Sequence, residues 1–155
     1  MQKRVRLLRR QRGYDFRVRE SKGQRVRVKN FDSKKGRFIM DKVTIVLQDA
    51  PYGNEKVWNA LRLTQALLSV GMGVRIFLYG DSVIAAKKGQ STPTGFYNIG
   101  DMMAEIIKKG ADVRACLTCA NARGVKQEDF IAGAVIGKTL DLAHWIKEGG
   151  QVMVF

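Results

Sequence analysis

From Met40 onward the chain alternates between two rhythms, short continuous apolar runs and apolar residues at helical spacing. Val43-Thr44-Ile45-Val46-Leu47 is nearly unbroken, the mark of a strand buried on both faces. Asp49 to Gly53 is turn-like, and Asn54 predicts a helix cap with Glu55 near its positive end. Val57, Ala60, Leu61, Thr64, Leu67 and Leu68 follow helical spacing until Gly71 and Gly73, and Val74 to Tyr79 predicts a second strand. Gly80 to Tyr97 reads as a long loop with a short helix near Val83–Lys87, and loops of this length tend to be functional or mobile. Asn98 caps the next helix, with Asp101 at its third position. Ile99, Met102, Met103, Ile106 and Ile107 form its apolar stripe and Gly110 stops it. Ala111–Cys116 predicts a third strand, Gly124–Asp129 a turn, and Gly133–Ile136 a short fourth strand. Thr139 is the expected cap of a helix running through Lys147, stopped by Gly149-Gly150, and Gln151–Phe155 is a last strand.

Strands alternating with crossover helices imply an α/β fold, with a mainly parallel sheet of about five strands and helices on both faces. In such a sheet the C-terminal strand ends share one edge, which is where α/β proteins place their ligands. That edge collects Asp49–Gly53, Gly80–Ser82 and Cys116–Cys119, and the loop 81–97 leaves from it.

Charge divides the chain. Residues 1–39 hold 15 Lys/Arg against 3 Asp/Glu, whereas residues 40–155 hold 13 against 11, so the net +14 belongs almost wholly to the first quarter. The expected organisation is a basic extension over 1–39 and an α/β domain over 40–155. Three readings of the extension stand open. It is a nucleic-acid-binding arm, since a basic segment of this density suits a phosphate backbone. It is a small β-hairpin, with Tyr14, Phe16 and Val18 on one strand and Val26 and Val28 on the other, around Ser21-Lys22-Gly23-Gln24. Or it is a leader or misassigned start, because Lys34-Lys35-Gly36-Arg37 fits a purine-rich, ribosome-binding-like stretch a few codons before Met40. No apolar run approaches the roughly 18 residues of a membrane span, and no apolar h-region follows the basic residues. A reducing cytoplasm is the expected compartment for a chain with two cysteines and no disulfide framework.

Those cysteines, Cys116 and Cys119, frame the densest chemistry in the sequence. A thiolate is the reactive form, and backbone N–H groups or a cation lower its pKa. If Leu117–Ala122 opens a helical turn, its N–H groups face the Cys116 sulfur, and Arg123 is the nearest downstream cation. The arrangement suits a thiolate that attacks sulfur or carries it as a persulfide. A thioredoxin-like dithiol is the rival, although its motif follows an early strand and opens a long helix. A zinc site needs about four ligands, and two Cys with one His do not close it, so no metal is expected. The pair also fits as small buried hydrophobes. His144 reads as a surface or boundary residue of the last helix, and Lys87-Lys88 as a solvated turn. No dinucleotide fingerprint, Walker loop or nucleophile-elbow serine occurs, and no cofactor is expected.

Four blocks carry a resemblance across residues 40–155: Ala50-Pro51-Tyr52-Gly53-Asn54-Glu55 with Leu61-Arg62-Leu63; Gly89-Gln90 with Gly95-Phe96-Tyr97-Asn98-Ile99; Cys116-Leu117-Thr118-Cys119 with Arg123-Gly124; and Ile136-Gly137, Leu142-Ala143-His144-Trp145 and Val152-Met153-Val154-Phe155. In order and spacing they resemble the DsrE/DsrF-like family, nearest its YchN branch. The resemblance implies a three-layer α/β sandwich assembled as a homotrimer or homohexamer. It implies sulfur donor and acceptor proteins as partners, with sulfane sulfur carried as a persulfide on the cysteine matching Cys116. Cys119 matches a second cysteine of that branch, and a resolving, disulfide-forming or packing role all stay open for it. Arg123 is the expected thiolate stabiliser, and Tyr52, Gln90 and Tyr97 are expected at the pocket mouth. Other expectations remain beside this one: an oligomeric binding protein with inert or redox-active thiols, or nucleic-acid binding through the basic arm.

Overall fold

A computed structural model describes Lys42–Phe155 throughout and, of residues 1–41, four strands: β1 (Phe16–Arg19), β2 (Arg25–Val28), β3 (Phe31–Asp32) and β4 (Arg37–Phe38). The chain divides after Asp41. In the first unit β1 pairs antiparallel with β2, Phe16 opposite Val28 and Val18 opposite Val26, the hairpin that alternation suggests. Its turn and Tyr14 lie outside the described residues. A second antiparallel pair, β3 with β4, sets Phe31 opposite Phe38, and the pattern of the sequence does not mark it.

In the second unit the elements are β5 (Lys42–Leu47), α1 (Lys56–Ser69), β6 (Gly73–Leu78), a 3-10 helix (Gly80–Ala86), α2 (Ile99–Lys108), β7 (Asp112–Cys116), α3 (Leu117–Ala122), a second 3-10 turn (Gln127–Asp129), β8 (Ala134–Gly137), α4 (Thr139–Lys147) and β9 (Gln151–Val154). The sheet order is β8-β7-β6-β5-β9, and every pairing is parallel. Strands β5 to β8 step in one direction across the sheet. The last crossover then jumps back past all of them to set β9 beside β5. Since parallel crossovers keep one hand, a reversal of direction moves the connecting helix to the other face. This is why α4 packs on the face opposite α1 and α2.

Side chains alternate across the two faces accordingly. Val43, Ile45 and Leu47 of β5, Val74, Ile76 and Leu78 of β6, and Val113 and Ala115 of β7 enter the large core with Val57, Ala60 and Leu61 of α1 and Ile99, Met103 and Ile106 of α2. Val46, Phe77 and Cys116 point the other way, into a small core closed by Leu142 and Trp145 of α4. Burying a side chain the size of Met103 or Ile106, both fully inaccessible, contributes about 1.5–3 kcal/mol each. The α1–α2 face therefore holds most of the stability and the α4 face much less.

Helix starts follow local chemistry with small shifts from expectation. Asn98 caps α2 through its side chain, which accepts the Asp101 N–H at 3.1 Å. Asn54 acts one position early: its Oδ1 accepts from Lys56 N at 2.9 Å while Glu55 occupies the cap position. For α4 the expected cap Thr139 is already helical. The cap residue is Lys138, whose N–H donates to Asp141 Oδ2 at 2.6 Å, so the start of α4 is fixed by a carboxylate reaching back from its third position and not by a cap hydroxyl. Among the described residues no helix is long and apolar enough to cross a membrane.

Candidate functional site

Strand β7 ends at Cys116 and α3 begins at Leu117, with no loop between them. Cys116 is thus the cap residue of α3, without a side-chain cap hydrogen bond, and the N–H groups of Cys119 and Thr118 lie near enough to its sulfur to favour its anionic form. The alternation Asp112, Arg114, Cys116 sends the sulfur to the α4 face. There Val46, Phe77, Leu142 and Trp145 leave it 4% exposed. Cys119, one turn on, is half-buried, packs against both cores, and its thiol neighbours the Cys116 thiol. Both are free.

Burial pushes the Cys116 thiol above the ordinary range, the neighbouring Cys119 thiol adds to the rise, and the two N–H groups draw it down without overcoming burial. The resting site is therefore a buried, protonated thiol beside the first N–H groups of α3. A raised folded-state pKa makes the protonated form the stable one, so this contribution is full below the thiol pKa of the unfolded chain. It is lost as pH rises through the folded value. In a Cys119→Ser background, the rate of Cys116 alkylation should climb with a midpoint above the roughly 8.5 of a free thiol. A midpoint below that value would show that the N–H groups dominate instead.

Arg123 does not sit on the thiol. Its Nε and Nη2 donate to Asp81 Oδ1 at 3.0 and 2.6 Å, and its Nη1 donates to the carbonyl of Cys119 at 3.0 Å. It ties the end of α3 to the 3-10 helix after β6 rather than stabilising the Cys116 thiolate directly. Asp81 escapes a reading of the sequence, although its place on the shared strand-end edge was the available signal.

Tyr52, Gln90 and Tyr97 come together, but around the start of α2. The Tyr52 hydroxyl donates to Gln90 Oε1 at 2.6 Å and accepts the Ile99 N–H at 3.0 Å. Gln90 Oε1 accepts the Gly100 N–H at 3.1 Å, and its Nε2 donates to the carbonyls of Ala85 and Lys87 at 3.0 and 2.8 Å. With Asn98, side chains from three segments satisfy the first N–H groups of α2. Tyr97 stacks between Tyr52 and Trp58 at 6.0 and 5.2 Å, and Arg62 lies over Trp58 at 4.6 Å. Tyr52 holds this position at φ 67, the one non-glycine residue with positive φ among those described. No described hydrogen bond or aromatic contact joins this network to the thiol pair.

The α4 face contributes residues that the sequence did not announce. Trp145 lies edge-on to Phe77 at 6.1 Å and carries the guanidinium groups of Arg114 and Arg75 at 4.7 and 5.5 Å from its ring centre. Arg114 pairs with Asp112 and Asp141, and Arg75 pairs with Glu148. The signal was an arginine at the same alternation phase on two adjacent strands. His144 is exposed on the outer side of α4. Lys87 and Lys88 are exposed, with Lys87 bridged to Phe130. Among the described residues no three of His, Cys, Asp and Glu gather as a metal-ligand set.

Comparison with known proteins places this architecture. The model of the DsrE/DsrF-like family matches residues 41–155. An uncharacterized protein of Methanopyrus kandleri is 40% identical over 116 residues, which is 75% of this chain and 95% of the relative. Protein YchN of Escherichia coli is 36% identical over 118 residues, 75% of this chain and all of YchN. The crystal structure of the E. coli ychN protein superposes with a TM-score of 0.68 at 38% identity, covering 74% of this chain and 98% of that one. A protein of unknown function from Methanobacterium thermoautotrophicum, at 17% identity and a TM-score of 0.59 over 74% of this chain and 98% of its own, shares the fold. With a family match across three quarters of its length and relatives covered nearly end to end, this chain belongs to the DsrE/DsrF-like family.

Proposed function

We propose that this protein is a sulfur carrier of the reducing cytoplasm that holds sulfane sulfur as a persulfide on Cys116, between a donor and an acceptor protein. The observation that carries this reading is the placement of Cys116. It lies at the C-terminal end of an interior strand, at the start of α3 where backbone N–H groups favour a negative sulfur, with a second thiol alongside. The resemblance of this block to sulfur-relay family members, which carry sulfur on the matching cysteine, adds to it.

The chemistry is a pair of exchanges. Cys116 gives its proton to solvent, and the thiolate attacks the outer sulfur of a donor persulfide. The donor's S–S bond breaks and the donor leaves as a thiolate, so Cys116 holds the S–SH group. An acceptor thiolate then attacks the terminal sulfur and releases the Cys116 thiolate. No external oxidant or reductant is consumed. The N–H groups of Thr118 and Cys119 stabilise the negative sulfur at both stages. The reading includes self-association, supported by Val152 and Val154, which leave the edge strand β9 40% and 62% exposed.

Intact-mass measurement after incubation with a small persulfide donor tests it. Wild type should gain the mass of a sulfur atom, and Cys116→Ser should lose that gain while Cys119→Ser keeps it. Equal sulfur uptake at Cys119 in the Cys116→Ser variant would sink the assignment. The contact between the two thiols supports a second reading, a redox dithiol. That reading predicts loss of two hydrogens under the same donor, with release of sulfide.

A further inference from the structure

Cys116 is covered by a helix that is poorly fastened by apolar contacts. Helix α4 buries only Leu142 and Trp145, whereas α1 buries Val57, Ala60, Leu61 and Thr64. Its other large apolar residues, Leu140 and Ile146, stay 63% and 50% exposed and add little to the docking. Beyond the Leu142 and Trp145 anchors, charge fastens α4 at both ends. Near its start, Asp141 pairs with Arg114 at 3.2 Å; just past its end, Glu148 pairs with Arg75 and, at 3.9 Å, with Lys42. Trp145 rests against the same two arginines between these points.

Two further observations bear on how readily this cover lifts. The docked arrangement leaves Arg75 Nη1 buried with no hydrogen-bond partner, a penalty that the closed state carries and an open one relieves. The helix is also flanked by backbone that can turn. Gly137 and extended Lys138 precede it, and Gly149 and Gly150, both at positive φ, follow it. Segments with few buried apolar contacts and solvent-accessible fastenings open at a fraction of the global unfolding free energy.

We propose that α4 is a hinged cover latched by the Arg75–Glu148 and Arg114–Asp141 ion pairs, and that Cys116 reacts only when α4 has lifted. The cover swings about Gly137–Lys138 and Gly149–Gly150. Lifting takes Leu142 and Trp145 off the small core and exposes the sulfur together with Phe77. In the closed state a persulfide on Cys116 is shielded from stray thiols. Delivery and removal of sulfur fall to partners that meet the open state, and any anionic surface competing for Arg75 or Arg114 favours that state. The purpose given to the cover rests on the sulfur-carrier reading. The gating itself does not, and the experiment reads it without a sulfur donor.

In full-length Cys119→Ser protein, the alkylation rate of Cys116 by iodoacetamide, a neutral reagent, is measured at fixed pH with and without Glu148→Gln. Glu148 is exposed and lies outside the thiol site. Its neutralisation should raise the rate roughly 1.5- to fivefold, the range expected for losing a partly exposed ion pair. Raising NaCl from about 0.05 to about 1 M should raise the rate of the Glu148-intact protein in the same direction. Amide hydrogen exchange read in parallel should show α4 exchanging faster in Glu148→Gln while β6 is unchanged. The proposal is overturned by a rate indifferent to both Glu148→Gln and salt. It is equally overturned by a rise matched by a shift in the pH midpoint of alkylation, or by α4 and β6 amides that exchange together through global unfolding. Failure to load sulfur in the intact-mass experiment, with gating intact here, would remove the carrier role and leave the cover standing.

Discussion

Phe77→Ala should lower the unfolding free energy by about 3–5 kcal/mol, the usual cost of removing a fully buried phenylalanine from a packed core. Phe77 is the floor of the small core. It touches Tyr79 at 4.8 Å and Trp145 at 6.1 Å, and Cys116 packs into the same cluster. With so few residues around it, the cavity has little to collapse onto, which places the cost toward the upper end. Urea denaturation checks it, and a loss under about 1 kcal/mol would mean that the small core contributes almost nothing to stability. The milder Phe77→Leu keeps the fold within about 1.5 kcal/mol and isolates the effect on the thiol. Cys116 should alkylate faster in it, because the floor against which α4 seats is lower.

Gly150→Ala should cost about 3 kcal/mol and lower the melting temperature by roughly 10 °C. Gly150 has φ +120, and a Cβ there would stand 2.6 Å from the carbonyl oxygen of Lys42, a backbone atom with no room to retreat. That contact lies where β9 joins β5, so the strain falls on the pairing of Val43 with Gln151. Gly149→Ala is the control. It has φ +90 but nothing within 4 Å of where a Cβ would stand, so it carries only the backbone cost of about 1 kcal/mol. Thermal melts of the two variants separate conformational strain from the clash. Equal shifts would show that β9 moves aside without cost.

The two rhythms of the sequence located strands β5 to β9 and helices α1, α2 and α4 within a residue or two, because each element satisfies its own period and its own stop signal. Fold class followed from their alternation. Sheet order did not, since the return of β9 to the side of β5 is decided by crossover handedness and burial, and nothing local in Gln151–Val154 encodes it. The short helix α3 was legible only as a condition, six residues being too few for a periodic signal. At the site, Cys116 was legible because its position at a strand end is local. The partners of Arg123, Tyr52 and Gln90 were not, since Asp81, Ile99 and Gly100 reach them through contacts 42, 47 and 10 residues away in sequence. The same holds for Arg75 and Arg114, which look like solvated strand residues until the sheet sets them under Trp145.

Tyr52 illustrates how surface position and freedom to vary come apart. At 43% exposure it resembles a position where almost any residue is acceptable. Its backbone asks for glycine or asparagine, while its hydroxyl, shared by Gln90 and the first turn of α2, asks for tyrosine. No single residue meets both demands. Substitution here exchanges one deficit for another: phenylalanine keeps the strain and forfeits the bonds, and glycine relieves the strain and forfeits them as well. Tyrosine is thus held at position 52 by distant hydrogen bonds against the preference of its own backbone.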